Sequence, residues 1–218
     1  MTGAAACTGV ILAGGRALRF GGLPKGLERV GGRRIVDRVA TALAAVADDL
    51  LLIANDPNAA SWLPGVPVAA DVRPGNGGLG GIHAALVHAG RPVLVVAWDM
   101  PFVPPALLEA LRELGRDADV AVPVSDSQRG VEPLCAYYDP ACIRPIDRRL
   151  DAGDRRVIGF YDDVRVAKLP ESQVRRFGDP ALLFMNVNSP DELALAERHA
   201  SSLDDAADGG DHRTQAPR

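Results

Sequence analysis

The sequence predicts an α/β fold, a Rossmann-like three-layer sandwich on a mostly parallel sheet with an antiparallel edge. Three observations carry this. Short, continuously apolar runs alternate with segments of helical spacing, and such runs suit strands covered on both faces. No repeat or linker interrupts the alternation between residues 8 and 200. With 218 residues, 47% hydrophobic and 24% charged, the chain can bury the core of one sizeable domain without a disulfide or metal staple.

The elements follow in order. Thr8–Leu12 (TGVIL) is a buried strand ending on glycines, and Ile35–Ala47 carries Ile35, Val36, Val39, Leu43 and Val46 at helical spacing. Leu50–Ala54 and Val66–Ala69 read as strands, Leu79–His88 as a helix, and Val93–Ala97 (VLVVA) as a strongly apolar strand. Pro104–Leu114 reads as a helix with proline in its first turn, where the missing N–H costs nothing. Val120–Val122 and Leu134–Tyr138 are further strands. Beyond residue 130 the pattern is less regular, and the antiparallel edge strand is expected there. Residues 1–7 are small and featureless, and the stretch from Ser201 has almost nothing apolar to bury. Both 1–7 and 201–218 are therefore expected to be flexible termini.

Composition excludes several functions. Acidic residues number 28 against 24 basic, a net charge of −4, which argues against nucleic-acid binding through bulk charge. No apolar run approaches the roughly 18 residues needed to span a bilayer. The apolar N-terminal stretch lacks the basic segment that precedes a signal sequence. Three cysteines, Cys7, Cys135 and Cys142, are an odd number without zinc spacing, which suits a reducing cytoplasm.

In a sheet of this kind ligands bind beyond the carboxyl ends of the strands, so the residues there matter most. The first strand runs into Gly14-Gly15-Arg16-Ala17-Leu18-Arg19-Phe20-Gly21-Gly22-Leu23-Pro24-Lys25. Glycines let backbone approach a phosphate chain, and successive N–H groups form an anion nest. Arg16, Arg19 and Lys25 add cations, and Lys25 is one of only two lysines among the 24 basic residues. The loop is not a Walker motif, because glycine follows the lysine where Ser or Thr is required.

Gly75-Asn76-Gly77-Gly78-Leu79-Gly80 matches G-x-G-x-x-G, with Asp99 at 19 residues beyond it. The dinucleotide fingerprint should follow its strand at once, whereas Asp71-Val72-Arg73-Pro74 intervenes here. A glycine-rich helix N-terminus close to a base or ribose is the better use of these residues. Asp99 directly follows VLVVAW and stands at the crevice floor, too far before the helix near Pro104 to cap it. A carboxylate there, completed by substrate phosphates and water, is what Mg²⁺ prefers. Asp71 ends the preceding strand similarly and is a second acidic group for the crevice.

LAGGRALRFGGLPK, NGGLGGI, WDMP, VEPLCAYY and FMNVNSP occur in this order, and through them the chain resembles the molybdenum cofactor guanylyltransferases. The resemblance runs from about Thr8 to Ala200, so it implies a nucleotidyltransferase domain over residues 8–200. It implies a nucleotide site at Leu12, Ala13, Gly14, Gly15, Lys25, Asn55, Asp71 and Asp99, with Asp99 the magnesium ligand. It places Asn186 and Asn188 near the pterin substrate, together with Arg155 and Arg156 of a glycine-and-arginine segment. Ala17, Phe20, Pro24 and Trp98 depart from the family's usual serine, methionine, acid and cysteine. Pro-Lys also occurs in sugar and phospholactate nucleotidyltransferases.

The implied reaction joins the terminal phosphate of molybdopterin to the α-phosphorus of GTP and expels pyrophosphate. A phosphate monoester has a second pKa of about 6 and is already anionic at neutral pH, so no general base is needed. His83, His88, His199 and His212 are accordingly read as surface or packing residues. Charge neutralisation and alignment are what the chemistry demands. Lys25 and Arg19 are expected on the β- and γ-phosphates, Mg²⁺ on Asp99 at the α-phosphate, and Arg155 and Arg156 on the incoming phosphate. Molybdoenzymes or their chaperones are the downstream partners implied. Alternatives are a nucleotidyltransferase for CTP and the pterin or for an NTP and a sugar or lactyl phosphate, a non-catalytic carrier, and, least favoured, a nicotinamide oxidoreductase.

Overall fold

The computed structural model describes residues 6–14 and 24–208, with only the backbone of residues 202–208. Among these residues the strands are Thr8–Ala13 (β1), Arg29–Val30 (β2), Arg33–Arg34 (β3), Asp49–Ala54 (β4), Val68–Ala69 (β5), Val93–Ala97 (β6), Val120–Pro123 (β7), Cys135–Tyr138 (β8) and Val166–Leu169 (β9). The α-helices are Ile35–Ala44 (α1), Gly77–Ala89 (α2), Pro105–Leu114 (α3), Ile143–Asp151 (α4), Glu171–Val174 (α5), Pro180–Leu183 (α6) and Pro190–Asp208 (α7).

Seven strands form one sheet in the order β5-β4-β1-β6-β8-β7-β9, and β2 and β3 pair separately. β1 lies between parallel neighbours, with Val10 opposite Leu51 of β4 and Val95 of β6. Alternate side chains leave the sheet on opposite faces. Ile11 therefore joins Val36, Val39, Leu43, Leu107 and Leu111 beneath α1 and α3. Val10 and Leu12 join Leu79, Ile82, Leu86 and Ile146 beneath α2 and α4. All six residues of β1 are buried, which is why this strand reads as continuously apolar.

The antiparallel strand differs from expectation in position. β8 pairs antiparallel with both β6 and β7, inside the sheet, and the edges are β5 and β9. All four β8 residues are buried, so apolarity alone does not distinguish this strand from its parallel neighbours. Its direction is set by the chain route, since β7 must reverse into β8. The expected helix over 35–47 stops at Ala44, where the Ala45 N–H turns onto the Thr41 and Leu43 carbonyls.

Within the described residues, structure extends past both expected boundaries. Cys7 is buried, and its N–H donates to the Asp48 carboxylate at 2.8 Å, so order begins before β1. At the other end α7 continues to Asp208 instead of stopping near Ser201. Ser189 and Glu192 cap its start: the Glu192 N–H donates to Ser189 Oγ and the Glu192 carboxylate accepts from Asn188 N–H. Residues 1–5 and 209–218 lie outside the described residues. Val187, Ala196 and Ala200 bury against Val30 and Ile35, holding the closing segment over the front of the sheet.

Candidate active site

The carboxyl ends of β1, β4, β5 and β6 open on one cavity of about 470 Å³. Leu12, Gly14, Lys25, Asn55, Asp71, Asp99 and Asn186 all line it, together with Gly75, Gly77 and Gly78 at the start of α2. Sequence separation is no obstacle, because each parallel strand delivers the residue that follows it to the same edge.

On one side, Asn55 leaves β4 and Asp71 follows β5. Asn55 Nδ2 donates to Asp71 Oδ2 at 2.8 Å, and Asp71 N–H donates back to Asn55 Oδ1 at 2.8 Å. The two side chains form one unit. Opposite them, Gly75 and Gly77 adopt φ of +81° and +58°, conformations that L side chains rarely take, which turns the chain sharply into α2. Asn76 spends its amide on the Arg73 carbonyl at 2.8 Å, so the helix start has no side-chain cap and its N–H dipoles face the cavity. The glycine motif therefore opens a helix that begins eight residues beyond Ala69, and the dinucleotide fingerprint fails in three dimensions as it does in sequence.

Lys25 and Asp99 meet in the cavity lining, and the exposed Asn188 joins them from outside it. The Lys25 ammonium contacts Asp99 Oδ2 and donates to Asn188 Oδ1 at 2.5 Å. Asp99 is only 6% exposed. Its backbone carbonyl accepts from Val187 N–H at 2.9 Å, so the loop carrying Asn186 and Asn188 is stitched directly to the metal-ligand candidate. Trp98 backs this floor, stacked on Trp62 with ring centroids 5.0 Å apart, and Gly26 sits so close beneath it that a Cβ there would lie 2.3 Å from the indole.

Other expected residues fall elsewhere. Ala13 is buried at the end of β1, outside the cavity lining. Arg156 lines a separate hollow with Arg129, Arg149 and Lys168, and its guanidinium forks onto Asp154, 2.8 Å at its closest. That hydrogen-bonded fork pulls the Asp154 carboxyl down to about 2. Arg155 is exposed and lines neither hollow. Gly15, Arg16 and Arg19 lie outside the described residues.

The described histidines take surface or packing places, and His212 lies outside the described residues. His83 is buried with Nε2 3.0 Å from Asp147, His88 reaches the Ala70 carbonyl at 3.0 Å, and His199 stands edge-on to Phe102. The three cysteines are unpaired and buried, and burial raises each thiol pKa, to about 11 at Cys7 and about 12 at Cys142. Glu132 is the acidic residue that sequence reasoning missed. It is buried near Asp99, and burial raises its carboxyl pKa. Only its place in VEPLCAYY hinted at it, as a charge inside an otherwise apolar stretch.

A glycine-rich crevice at the carboxyl ends of parallel strands, lined by Lys25 and the buried Asp99, suits a nucleotidyltransferase. Residues 9–166 match the model of the MobA-like NTP transferase domain, and the chain belongs to that family. Among its relatives, the molybdenum cofactor guanylyltransferase of Desulfosudis oleivorans is 35% identical over 194 residues, covering 88% of this chain and 95% of that protein. The molybdenum cofactor guanylyltransferase of Cereibacter sphaeroides is 35% identical over 196 residues, covering 87% and 94%. Among solved structures, molybdopterin-guanine dinucleotide biosynthesis protein A from Archaeoglobus fulgidus superposes with a TM-score of 0.75 at 29% identity, covering 89% of this chain and 99% of that one.

Proposed function

We propose that this nucleotidyltransferase transfers GMP from GTP to the terminal phosphate of molybdopterin, releasing pyrophosphate, in molybdenum cofactor biosynthesis. The observation that carries the reading is the pairing of Lys25 with the buried Asp99 in the lining of the strand-end cavity, with Asn188 bonded to the same ammonium. The relatives' names supply the substrates.

Mg²⁺ fits the donor set. It takes oxygen ligands, with one or two protein carboxylates completed by phosphates and water. Asp99 and Asn188 already hold a cation, the Lys25 ammonium, between two oxygens. Among the described residues no cluster of three or more His, Cys, Asp or Glu offers a competing metal site. Mg²⁺ on Asp99 would screen phosphate charge and polarise the α-phosphate.

The protein's own groups do the positioning. Lys25 brings a positive charge to the point where the two anions meet, held in direction by Asn188. The N-terminus of α2 adds fixed dipoles, which stabilise charge without reorganising during the reaction. The Asn55–Asp71 unit offers a paired set of donors and acceptors to base or ribose. Arg19 completes the triphosphate grip. No side chain need remove a proton from an acceptor that is already anionic.

Unpaired, buried cysteines support a reducing compartment, and we place the reaction in the cytoplasm, upstream of molybdoenzymes or their chaperones. Among the described residues no helix is long and apolar enough to cross a membrane. Calorimetric titration of GTP and CTP, with and without Mg²⁺, tests the reading. GTP binding strengthened by Mg²⁺ is expected, and a preference for CTP would change the product while keeping the mechanism.

A further inference from the structure

A second hollow of about 300 Å³ adjoins the nucleotide cavity, and Asn186 stands in the walls of both. The volume lies at the lower end of the ligand-pocket range. Phe184 and Pro180 give it an apolar wall, and Arg129 stands on its exposed rim. Ser125 and Ser127 also line it, but their hydroxyls bond each other at 2.9 Å and Ser127 goes on to the Val131 carbonyl at 2.9 Å. Glu132 differs. It is 5% exposed, and one carboxylate oxygen accepts from Leu134 N–H at 3.1 Å. Among the described residues no donor reaches the other oxygen.

With one oxygen held by the backbone and the other open to the hollow, the Glu132 carboxylate offers a place to a ligand that brings donors. The acceptor under the guanylyltransferase reading, on which this inference rests, carries a 2-amino-4-oxopteridine ring. Its amino group and adjacent ring N–H are two parallel donors, the geometry a carboxylate accepts. We infer that Glu132 is the specificity-determining residue for the acceptor, accepting from the amino-pyrimidinone edge of a pterin seated against Phe184. The acceptor's phosphate then passes Asn186 towards Asp99 and Lys25. Guanine presents the same donor edge, but the nucleotide's own cavity already holds the Asn55–Asp71 unit and the start of α2, and Glu132 does not line it.

The test uses the full chain and two fluorescent probes, 6-hydroxymethylpterin monophosphate and its 2,4-dioxo counterpart, which lacks the amino group. The wild type is expected to prefer the amino compound by about tenfold, the worth of one hydrogen bond to a charged group. Glu132→Gln keeps an acceptor for Leu134 N–H and should fold; it is expected to lose this preference while its affinity for GTP with Mg²⁺ stays unchanged. A retained preference in the variant overturns the inference, and so does an equal loss of GTP affinity, which would make Glu132 a reader of guanine. Absence of any preference in the wild type overturns it whatever the variant does. The parent reading has its own readout: selective GTP binding by the wild type upholds it even if Glu132 fails, and absent GTP binding removes it.

Discussion

The ammonium of Lys25 meets the carboxylate of Asp99 across 74 residues of chain, and both line the cavity at the strand ends. A scarce lysine and a buried aspartate thus share one point. Under the proposed function, phosphate binding and metal binding would be coupled there, because each ligand must engage one member of an existing ion pair.

Replacing Asp99 with Asn keeps the shape and removes the charge. Loss of one transition-state stabiliser of this type costs about a hundred- to a thousandfold in rate. Pyrophosphate release should fall accordingly and lose its dependence on Mg²⁺ concentration, with a cooperative thermal transition retained. Turnover within a few-fold of wild type would remove Asp99 as the metal ligand.

Lys25→Ala removes a cation whose worth depends on how much phosphate charge it touches. GTP affinity should drop about ten- to a hundredfold, with GMP affinity much less affected. Titration of both nucleotides checks the split, and equal losses would show that Lys25 does not reach the outer phosphates.

Gly26→Ala tests the floor without touching a charge. The new Cβ would lie 2.3 Å from the Trp98 indole, which cannot retreat because it is 1% exposed and stacked on Trp62. Overpacking of this kind costs about 1–3 kcal/mol. Urea denaturation should show a lowered midpoint at an unchanged slope, and nucleotide affinity should fall with it because Lys25 is the adjacent residue.

Glu132 carries a pH signature. Burial raises its carboxyl pKa in the folded protein, Leu134 N–H and Arg129 oppose the shift, and Asp99 adds to it. A carboxyl raised on folding binds its proton more tightly when folded, so its ionised form costs stability at neutral pH and the cost fades as pH falls. Glu132→Gln should therefore melt above the wild type at pH 7, with the gap closing in acid. A gap that widens in acid would show the opposite sign of shift.

The strand and helix order and the crevice edge were legible in sequence because they depend on local periodicity and on turn chemistry. Leu12, Gly14, Asn55, Asp71 and Asp99 each lie at or just after a strand end, so finding the strands finds the cavity. The helix of Gly77–Ala89 is also visible, though Gly77 and Gly78, poor helix formers, hide its first turn.

Other features needed the folded chain. β8 reads like its parallel neighbours, since burial on both faces erases any alternation, and only the route from β7 sets its direction. Arg156 looked like a phosphate grip beside Asp154 in sequence, yet the fold puts this pair at a different hollow from Asp99. Glu132 left only the hint of a lone acid in an apolar run, because burial is a property of what packs over it. Sequence by itself determined which residues reach the strand ends, because that follows from local structure. Which of them touch, as Lys25 touches Asp99 and Asn188, was decided by tertiary structure, because a contact between distant segments depends on how the elements pack.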